Sequence, residues 1–186
     1  QKCDWFEYKS ARVEELFYGA TFRANLDLTD WLNTQPLCSL VACLGDGHDG
    51  VWNVFEAVAT ASERLEILDW YHLKENLYKI GGSIKRIKQA ESSLWQGCVD
   101  EAKALFQDCQ LEQARKFCNY LEHHRQRIVN YAYFQAEGIP IGSGAVESSI
   151  KQIDHRMKLT GAQWKSENVP NPLSVRCAYL NGKLDF

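Results

Sequence analysis

A carboxylate at the end of a predicted strand is the first candidate for chemistry. Asp46 directly follows the apolar run 37–44 and has a glycine on each side. Ligand sites in open α/β sheets lie at the carboxyl ends of strands, so a carboxylate here can approach a metal ion or a substrate closely. An Asp-Gly turn is the simpler interpretation of the same residues. Asp49, three residues further on, has the same two interpretations.

A second carboxylate lies on a predicted helix. The apolar residues of this helix recur with spacings of four, three and four, at Val146, Ile150, Ile153 and Met157. Glu147 lies beside this stripe, at the border of the buried face, where a carboxylate can reach a cleft. An ion pair with Lys151, or a favourable charge near a helix N-terminus, explains Glu147 as well. Two carboxylates on different elements suggest divalent-metal chemistry on phosphate, although such a site usually needs three or more.

Two basic segments are candidates for phosphate contact. The segment 79–88 contains no acid and has a local charge of +4, from Lys79, Lys85, Arg86 and Lys88. The segment 147–165 has a local charge of +2, because two acids offset Lys151, Arg156, Lys158 and Lys165. Trp164 is placed to stack on an unpaired base. Solvated helix faces explain both segments without a ligand.

Histidines near acids are the remaining candidates. Asp69 and His72 are three residues apart, which fits either a metal pair or a structural hydrogen bond. We favour the structural hydrogen bond, because no third ligand is evident. The segment 123–127 is interpreted as a polar helix face.

Composition excludes several classes of protein. The chain has 21 Lys and Arg against 24 Asp and Glu, a formal net charge of −3, which argues against a coat that binds nucleic acid by bulk charge. Its seven cysteines are scattered without a Cys-x-x-Cys pair, so we expect reduced thiols rather than a zinc site. No apolar run has the length of a membrane helix and no leader opens the chain, so we expect a cytoplasmic protein without membrane contact.

Hydrophobic periodicity predicts the elements that position these residues. Alternation over 5–10 and an aromatic run over 15–22 predict two strands, and a short helix capped by Asn25 or Asp27 follows. The run 37–44 is typical of a strand buried on both faces, and 65–68 of a further strand, with a helix between them. From about 72 to 141 the pattern is helical, broken at Gly81-Gly82 and Gly97. A helix over 143–159 and a last one after Pro170, which Gly182 ends, complete the chain.

This order of elements predicts an α/β fold with a large all-helical insertion. We divide the chain into a partial core with strands and helices (1–81), a helical insertion (82–140) and C-terminal core helices (141–186).

Four blocks of the sequence resemble the DDE-type transposases of bacterial insertion sequences. They are 44–52, 67–72, 142–148 and 161–164, and the similarity is greatest to the ISKra-type group, which is distantly Mutator-like. The resemblance implies an RNase H-like catalytic core that binds two Mg²⁺ or Mn²⁺ ions and drives cleavage and strand transfer at transposon ends. By motif, Asp46 corresponds to the second catalytic Asp and Glu147 to the catalytic Glu. A Cys-x-x-His motif of Mutator-like relatives is matched only by His72, since Asp69 replaces the cysteine.

The resemblance also implies a missing part. The first catalytic Asp of the family lies on a strand that would precede Gln1, and the only methionine is Met157. We therefore expect a C-terminal portion of a transposase, N-terminally truncated, with little or no activity by itself. Its implied partners are the DNA of transposon ends and target, with a homo-oligomer in the full-length protein. The alternatives are a non-catalytic remnant or domesticated interaction module, and an RNase H-like nuclease acting on RNA or on a repair intermediate.

Overall fold

The computed structural model describes residues 8–13, 17–157 and 164–184, which form two compact units. The first unit comprises residues 1–39, 53–61 and 144–186, and the second comprises 40–52 and 62–143. Both contain helices and a two-stranded sheet, so the prediction of a mixed α/β protein is confirmed at that level. The order strand, strand, helix, strand, helix, strand, followed by a long helical stretch, also agrees with the prediction.

The first unit packs helices around an antiparallel hairpin. Its strands are β1 (Lys9–Val13) and β2 (Phe17–Thr21), and its complete helices are α1 (Asn25–Asn33), α8 (Gly144–Met157) and α9 (Pro170–Leu180), with a 3₁₀ helix at Ser166–Asn168. Asn181, after α9, pairs with both backbone groups of Tyr18, its Oδ1 accepting at 2.7 Å and its Nδ2 donating at 2.9 Å. Burial of apolar side chains from α8 and α9, including Ile153 and Leu173, supplies one core of this unit.

The second unit combines a parallel pair of strands with five helices. The strands are β3 (Val41–Gly45) and β4 (Arg64–Leu68), in a register that sets Gly45 opposite Leu68. The helices are α3 (Trp70–Tyr78), α4 (Ile84–Trp95), α5 (Val99–Ala104), α6 (Glu112–His123) and α7 (Tyr131–Ala136), with a 3₁₀ helix at Arg125–Arg127. Helix α2 (Asp49–Phe55) follows β3, and its residues are divided between the two units.

Glycines end the helices of the second unit where the sequence predicts breaks. Gly81 and Gly82 have φ angles of +72° and +80° between α3 and α4, and Gly97 has +77° between α4 and α5. Glycine adopts this left-handed region without the steric cost that other residues incur. Side-chain caps begin two helices of this unit: Ser83 Oγ accepts from the Arg86 N–H of α4, and Asn130 Oδ1 accepts from the Tyr133 N–H of α7.

Three predictions about individual elements are corrected. The strand predicted over 37–44 begins only at Val41, and it is not buried on both faces, because a sheet of two strands leaves Ala42 exposed. Helix α1 is not capped by Asn25 or Asp27: Ala24 holds the cap position and makes no side-chain cap hydrogen bond. Residues 5–7 of the strand predicted over 5–10 lie outside the described residues, and the described strand β1 begins only at Lys9 and continues to Val13.

The six described cysteines are free. Over the described part of the chain, the helices are too short or too polar to cross a membrane.

Candidate functional site

The carboxyl ends of β3 and β4 lie side by side and place two aspartates at one edge of the parallel sheet. Asp46 follows Gly45, and Asp69 follows Leu68, the residue paired with Gly45. The Asp69 N–H donates to the Gly45 carbonyl at 2.7 Å, which extends the ladder to this edge. Ligands of open α/β sheets bind at such an edge, so each of the two aspartates is a candidate ligand-binding residue.

Asp46 presents an exposed carboxylate. Its Oδ1 accepts a hydrogen bond from the His48 N–H at 2.9 Å, which closes an Asx turn before α2 begins at Asp49. Within the described residues, Oδ2 of Asp46 has no hydrogen-bond partner. Asp46 is therefore both the turn residue and the accessible carboxylate that the two sequence interpretations offered as alternatives.

Asp69 is completely buried and its carboxylate is occupied by backbone groups. Oδ1 accepts from the N–H groups of Tyr71, at 2.7 Å, and His72, at 3.0 Å, which caps helix α3. Oδ2 accepts from the N–H of Ser143, the residue before α8. The Trp70 N–H donates to the Ile141 carbonyl at 2.9 Å, so the segment 141–143 is fastened at two points. These bonds agree with a structural role for Asp69.

The His72 imidazole lies beside Asp69 without a hydrogen bond of normal length. Its Nδ1 is 3.5 Å from Asp69 Oδ1 and is a buried atom without a hydrogen-bond partner. The structure therefore places the imidazole predicted as a supporting group next to the capping carboxylate, as its i,i+3 spacing requires.

Tyr120 of helix α6 covers the turn that carries Asp46. A Cβ atom added at Gly47, whose φ is +98°, would lie 2.8 Å from the Tyr120 hydroxyl oxygen. This hydroxyl is buried and has no hydrogen-bond partner of normal geometry, although the Asn76 amide lies close to it. Burial, reinforced by the negative charges of Asp46 and Asp69 and opposed by Asn76, raises the pKa of Tyr120 to about 12. The hydroxyl is therefore protonated at neutral pH.

His124 directly follows α6 and lies four residues after Tyr120. It is buried, with only 2% of its surface exposed. Its ring lies 4.6 Å from the Tyr120 ring and 6.1 Å from the Trp52 ring, measured between centroids. Burial, together with the positive charges of His123 and Arg127, lowers the pKa of His124 to about 4, while Asp49 acts in the opposite direction. The interpretation of 123–127 as a polar helix face was therefore wrong at His124.

Arg127 connects the end of this segment to the sheet. Its guanidinium lies 4.3 Å above the Trp52 ring centroid, and its Nε donates to Glu66 of β4 at 2.7 Å. Glu66 also accepts from Arg64 at 3.0 Å. Burial alone would raise the pKa of Glu66, but the hydrogen bonds and charges of Arg127 and Arg64 outweigh it and lower the pKa.

Glu147 lies in the first turn of α8, in the first unit, and is exposed. A carboxylate at this position is favourable beside the unpaired N–H groups of a helix N-terminus. The predicted apolar stripe is confirmed at Ile153 and Met157, which are buried, whereas the side chain of Val146 lies outside the described residues.

Most residues predicted to contact nucleic acid are exposed. In the second unit, Lys85 and Lys88 of α4 are exposed, whereas Arg86 pairs with Asp108 at 3.0 Å. In the first unit the exposed residues are Lys151, Arg156, Trp164 and Lys165. The Trp164 indole N–H donates to the Met157 carbonyl at 2.7 Å, which leaves its ring 41% exposed. Lys158 lies outside the described residues.

The side chains at the sheet edge offer few ligands to a divalent cation. No group of three or more His, Cys, Asp or Glu among the described residues is arranged to hold a metal ion. Mg²⁺, however, often binds through one or two carboxylates, several waters and substrate phosphates. Asp46, exposed and with one oxygen unused, fits that mode of binding. Asp69 does not, since backbone N–H groups occupy both of its oxygens.

Sequence reasoning missed Tyr120 and His124 because nothing in their spacing separates them from an ordinary helix face. The spacing of four residues places them on one side of α6 but does not reveal what that side contacts.

Comparisons with protein-family models, with curated proteins and with solved structures found no match to this chain.

Proposed function

We propose that this chain is the part of a DDE-type insertion-sequence transposase that carries the second catalytic Asp and the catalytic Glu. The single observation that carries the proposal is the exposed Asp46 carboxylate at the carboxyl end of β3. An RNase H-like core, which the sequence blocks imply, requires a carboxylate at that place. The order of strands and helices, with a long helical segment before Glu147, also supports it.

The proposed reaction is metal-dependent cleavage and strand transfer on DNA. A bound Mg²⁺ or Mn²⁺ lowers the pKa of an attacking water or 3′-hydroxyl and neutralises charge on the phosphate. Asp46 and Glu147 would hold the ions, with the first Asp of the family as a further ligand. Asp69 acts differently, because it fixes the backbone of the segment that leads into α8.

The exposed lysines are proposed to contact the DNA backbone. Lys85 and Lys88 lie on α4, and Lys151 and Lys165 belong to the first unit. Contacts of this kind bind phosphates without reading sequence. Each contact weakens as the salt concentration rises, because the release of counterions from the DNA then contributes less to binding. We therefore expect the affinity for DNA to fall steeply with ionic strength. The resemblance further implies a homo-oligomer that brings paired transposon ends together.

Substitution of the two carboxylates in the full-length protein tests the proposal. Asp46→Asn and Glu147→Gln are each expected to abolish Mg²⁺-dependent cleavage of DNA that carries the element ends, while DNA binding is retained. Asp49→Asn, a neighbouring exposed carboxylate, is the matched control and is expected to keep activity. Retained cleavage by either variant would reject that residue as a ligand. A full-length protein without cleavage activity but with DNA or protein binding would favour an interaction module instead.

A further inference from the structure

The end of helix α6 contacts the turn that carries Asp46 at successive points. The Tyr120 hydroxyl lies over Gly47, and His123 Nε2 is 3.4 Å from Asp49 Oδ1. Beyond them, the His124 ring packs near Trp52, which belongs to α2. All of these residues lie in the second unit, so the helical segment supplies one wall of the Asp46 site.

Tyr120, which is half-buried with a buried hydroxyl, differs from the completely buried Tyr131 of the same unit. The Tyr131 hydroxyl donates to the Leu68 carbonyl at 2.8 Å, as a buried phenol normally does. The Tyr120 hydroxyl is a buried atom that lacks such a partner, so the protein tolerates an unsatisfied donor beside the sheet edge. An unsatisfied buried polar group in a folded protein calls for a specific explanation, and an absent ligand is one.

The carboxylates near this hydroxyl differ in what they can still accept. Both oxygens of Asp69 are occupied by backbone N–H groups. Among the described residues, Oδ2 of Asp46 is without a hydrogen bond, and Gly47, directly after Asp46, touches Tyr120. Because Asp46 is exposed, its side chain can change rotamer without displacing packed neighbours.

We propose that Tyr120 is a positioning residue for Asp46, and that its hydroxyl donates a hydrogen bond to the Asp46 carboxylate when that carboxylate binds a divalent cation. The inference rests on the proposed function, in which Asp46 is a metal ligand. It adds that the helical segment 82–140 takes part in the catalytic site. Ligating carboxylates are commonly held by such outer hydrogen bonds, and loss of one lowers metal affinity about 10- to 100-fold.

A Mn²⁺ titration of the full-length protein, in which the first Asp of the family is present as a further ligand, tests the inference when it is followed by the electron paramagnetic resonance signal of the free ion. Tyr120→Phe removes only the hydroxyl and is expected to weaken Mn²⁺ binding about tenfold. Tyr133→Phe, at an exposed tyrosine of the same unit, is the matched control and is expected to bind as the wild type does. Asp46→Asn is expected to lose the site.

Thermal unfolding without metal separates positioning from packing. Since no acceptor for the Tyr120 hydroxyl proton is found among the described residues, Tyr120→Phe is expected to melt at the wild-type temperature or above it. Weaker Mn²⁺ binding accompanied by a lower melting temperature would assign Tyr120 to packing and overturn the inference.

The Mn²⁺ affinities also distinguish the failure of the inference from that of the proposed function. Wild-type affinity in Tyr120→Phe, with binding lost in Asp46→Asn, would overturn the role of Tyr120 and leave Asp46 as the ligand. Absence of Mn²⁺ binding by the wild type, or unchanged binding by Asp46→Asn, would overturn both.

Discussion

Asp46 and Asp69 show how the surroundings of a residue set its role. They follow paired residues of two parallel strands, but one carboxylate is exposed and the other has no exposed surface. Three backbone N–H groups satisfy the buried Asp69 carboxylate and offset the cost of its removal from water. Asp46 makes one turn hydrogen bond and keeps an oxygen for a ligand. A carboxylate fully used by the backbone stabilises structure, whereas one partly used is available for chemistry.

Removal of the Asp69 carboxylate should destabilise the fold. Asp69→Ala leaves the N–H groups of Tyr71, His72 and Ser143 without their acceptor. We expect the free energy of unfolding, measured by urea denaturation, to fall by about 3 kcal/mol. Asp108→Ala, at an exposed partner of Arg86, is the control and should change it by less than about 1 kcal/mol. An equal effect of the two substitutions would refute the structural role of Asp69.

His124 should make stability depend on pH in the weakly acidic range. Its pKa is lowered from 6.5 to about 4 in the folded chain, so only the unfolded chain binds a proton there between these values. Folded-state stability is therefore complete above about pH 6.5 and is lost as the pH falls towards 4. We expect His124→Phe to show a smaller loss of unfolding free energy between pH 7 and pH 5 than the wild type.

Urea denaturation at the two pH values measures this difference. His155→Gln, at an exposed histidine of α8, is the control and should keep the wild-type loss. If His124→Phe showed the full wild-type loss, other groups would account for the pH dependence.

At the scale of elements, the turn between β3 and α2 depends on a helix far along the chain. Tyr120 and His123 are more than 70 residues away from the turn they contact. The Asx turn at Asp46 bends the chain, but the contact with α6 determines which residue is accepted after it. Gly47 satisfies both requirements, since it has a positive φ and leaves room for the Tyr120 hydroxyl.

Alanine substitutions at two glycines separate these requirements. Gly47 and Gly138 both have positive φ angles, +98° and +75°, but a Cβ at Gly138 would meet nothing within 4 Å. We expect Gly138→Ala to lower the free energy of unfolding by about 1 kcal/mol, from backbone strain. Gly47→Ala should cost about 2–3 kcal/mol, because the added methyl also displaces Tyr120. Equal losses in chemical denaturation would mean that α6 does not restrict the turn.

At the scale of the whole molecule, each of the two units has buried apolar side chains of its own. Leu173 is completely buried in the first unit and Leu94 in the second. Chain order does not follow this division, because segments from both ends and from the middle form the first unit.

The modest net charge of −3 is compatible with local basic surface at Lys85 and Lys88 and at Lys151 and Lys165.

Cavity-forming substitutions should report on the two cores separately. Leu173→Ala and Leu94→Ala are each expected to lower the free energy of unfolding by about 2–5 kcal/mol. Hydrogen exchange should then accelerate mainly for amides of the unit that carries the substitution, since its core has lost packing. Equal acceleration throughout the described chain by both variants would show one cooperative core instead.

Elements and their ends are predictable from the amino-acid sequence where local chemistry is decisive. Gly81, Gly82 and Gly97 end helices because of backbone conformation, and the apolar stripe of α8 follows from helical periodicity at Ile153 and Met157. The sequence also indicates Asp46, since a carboxylate after an apolar strand is a local pattern.

The neighbours that these residues contact depend on tertiary packing, which local patterns do not reveal. The Asp69 carboxylate accepts a hydrogen bond from the distant Ser143 N–H, the His124 side chain is buried, and the Tyr120 hydroxyl lies over Gly47. The strand predicted over 37–44 is also shorter and more exposed than expected, because β3 pairs with one strand in the described residues and a larger sheet would cover more of it. The physical reason is the same in each case. Local periodicity records which side of an element is apolar, whereas burial and hydrogen bonding depend on groups that are remote in the chain.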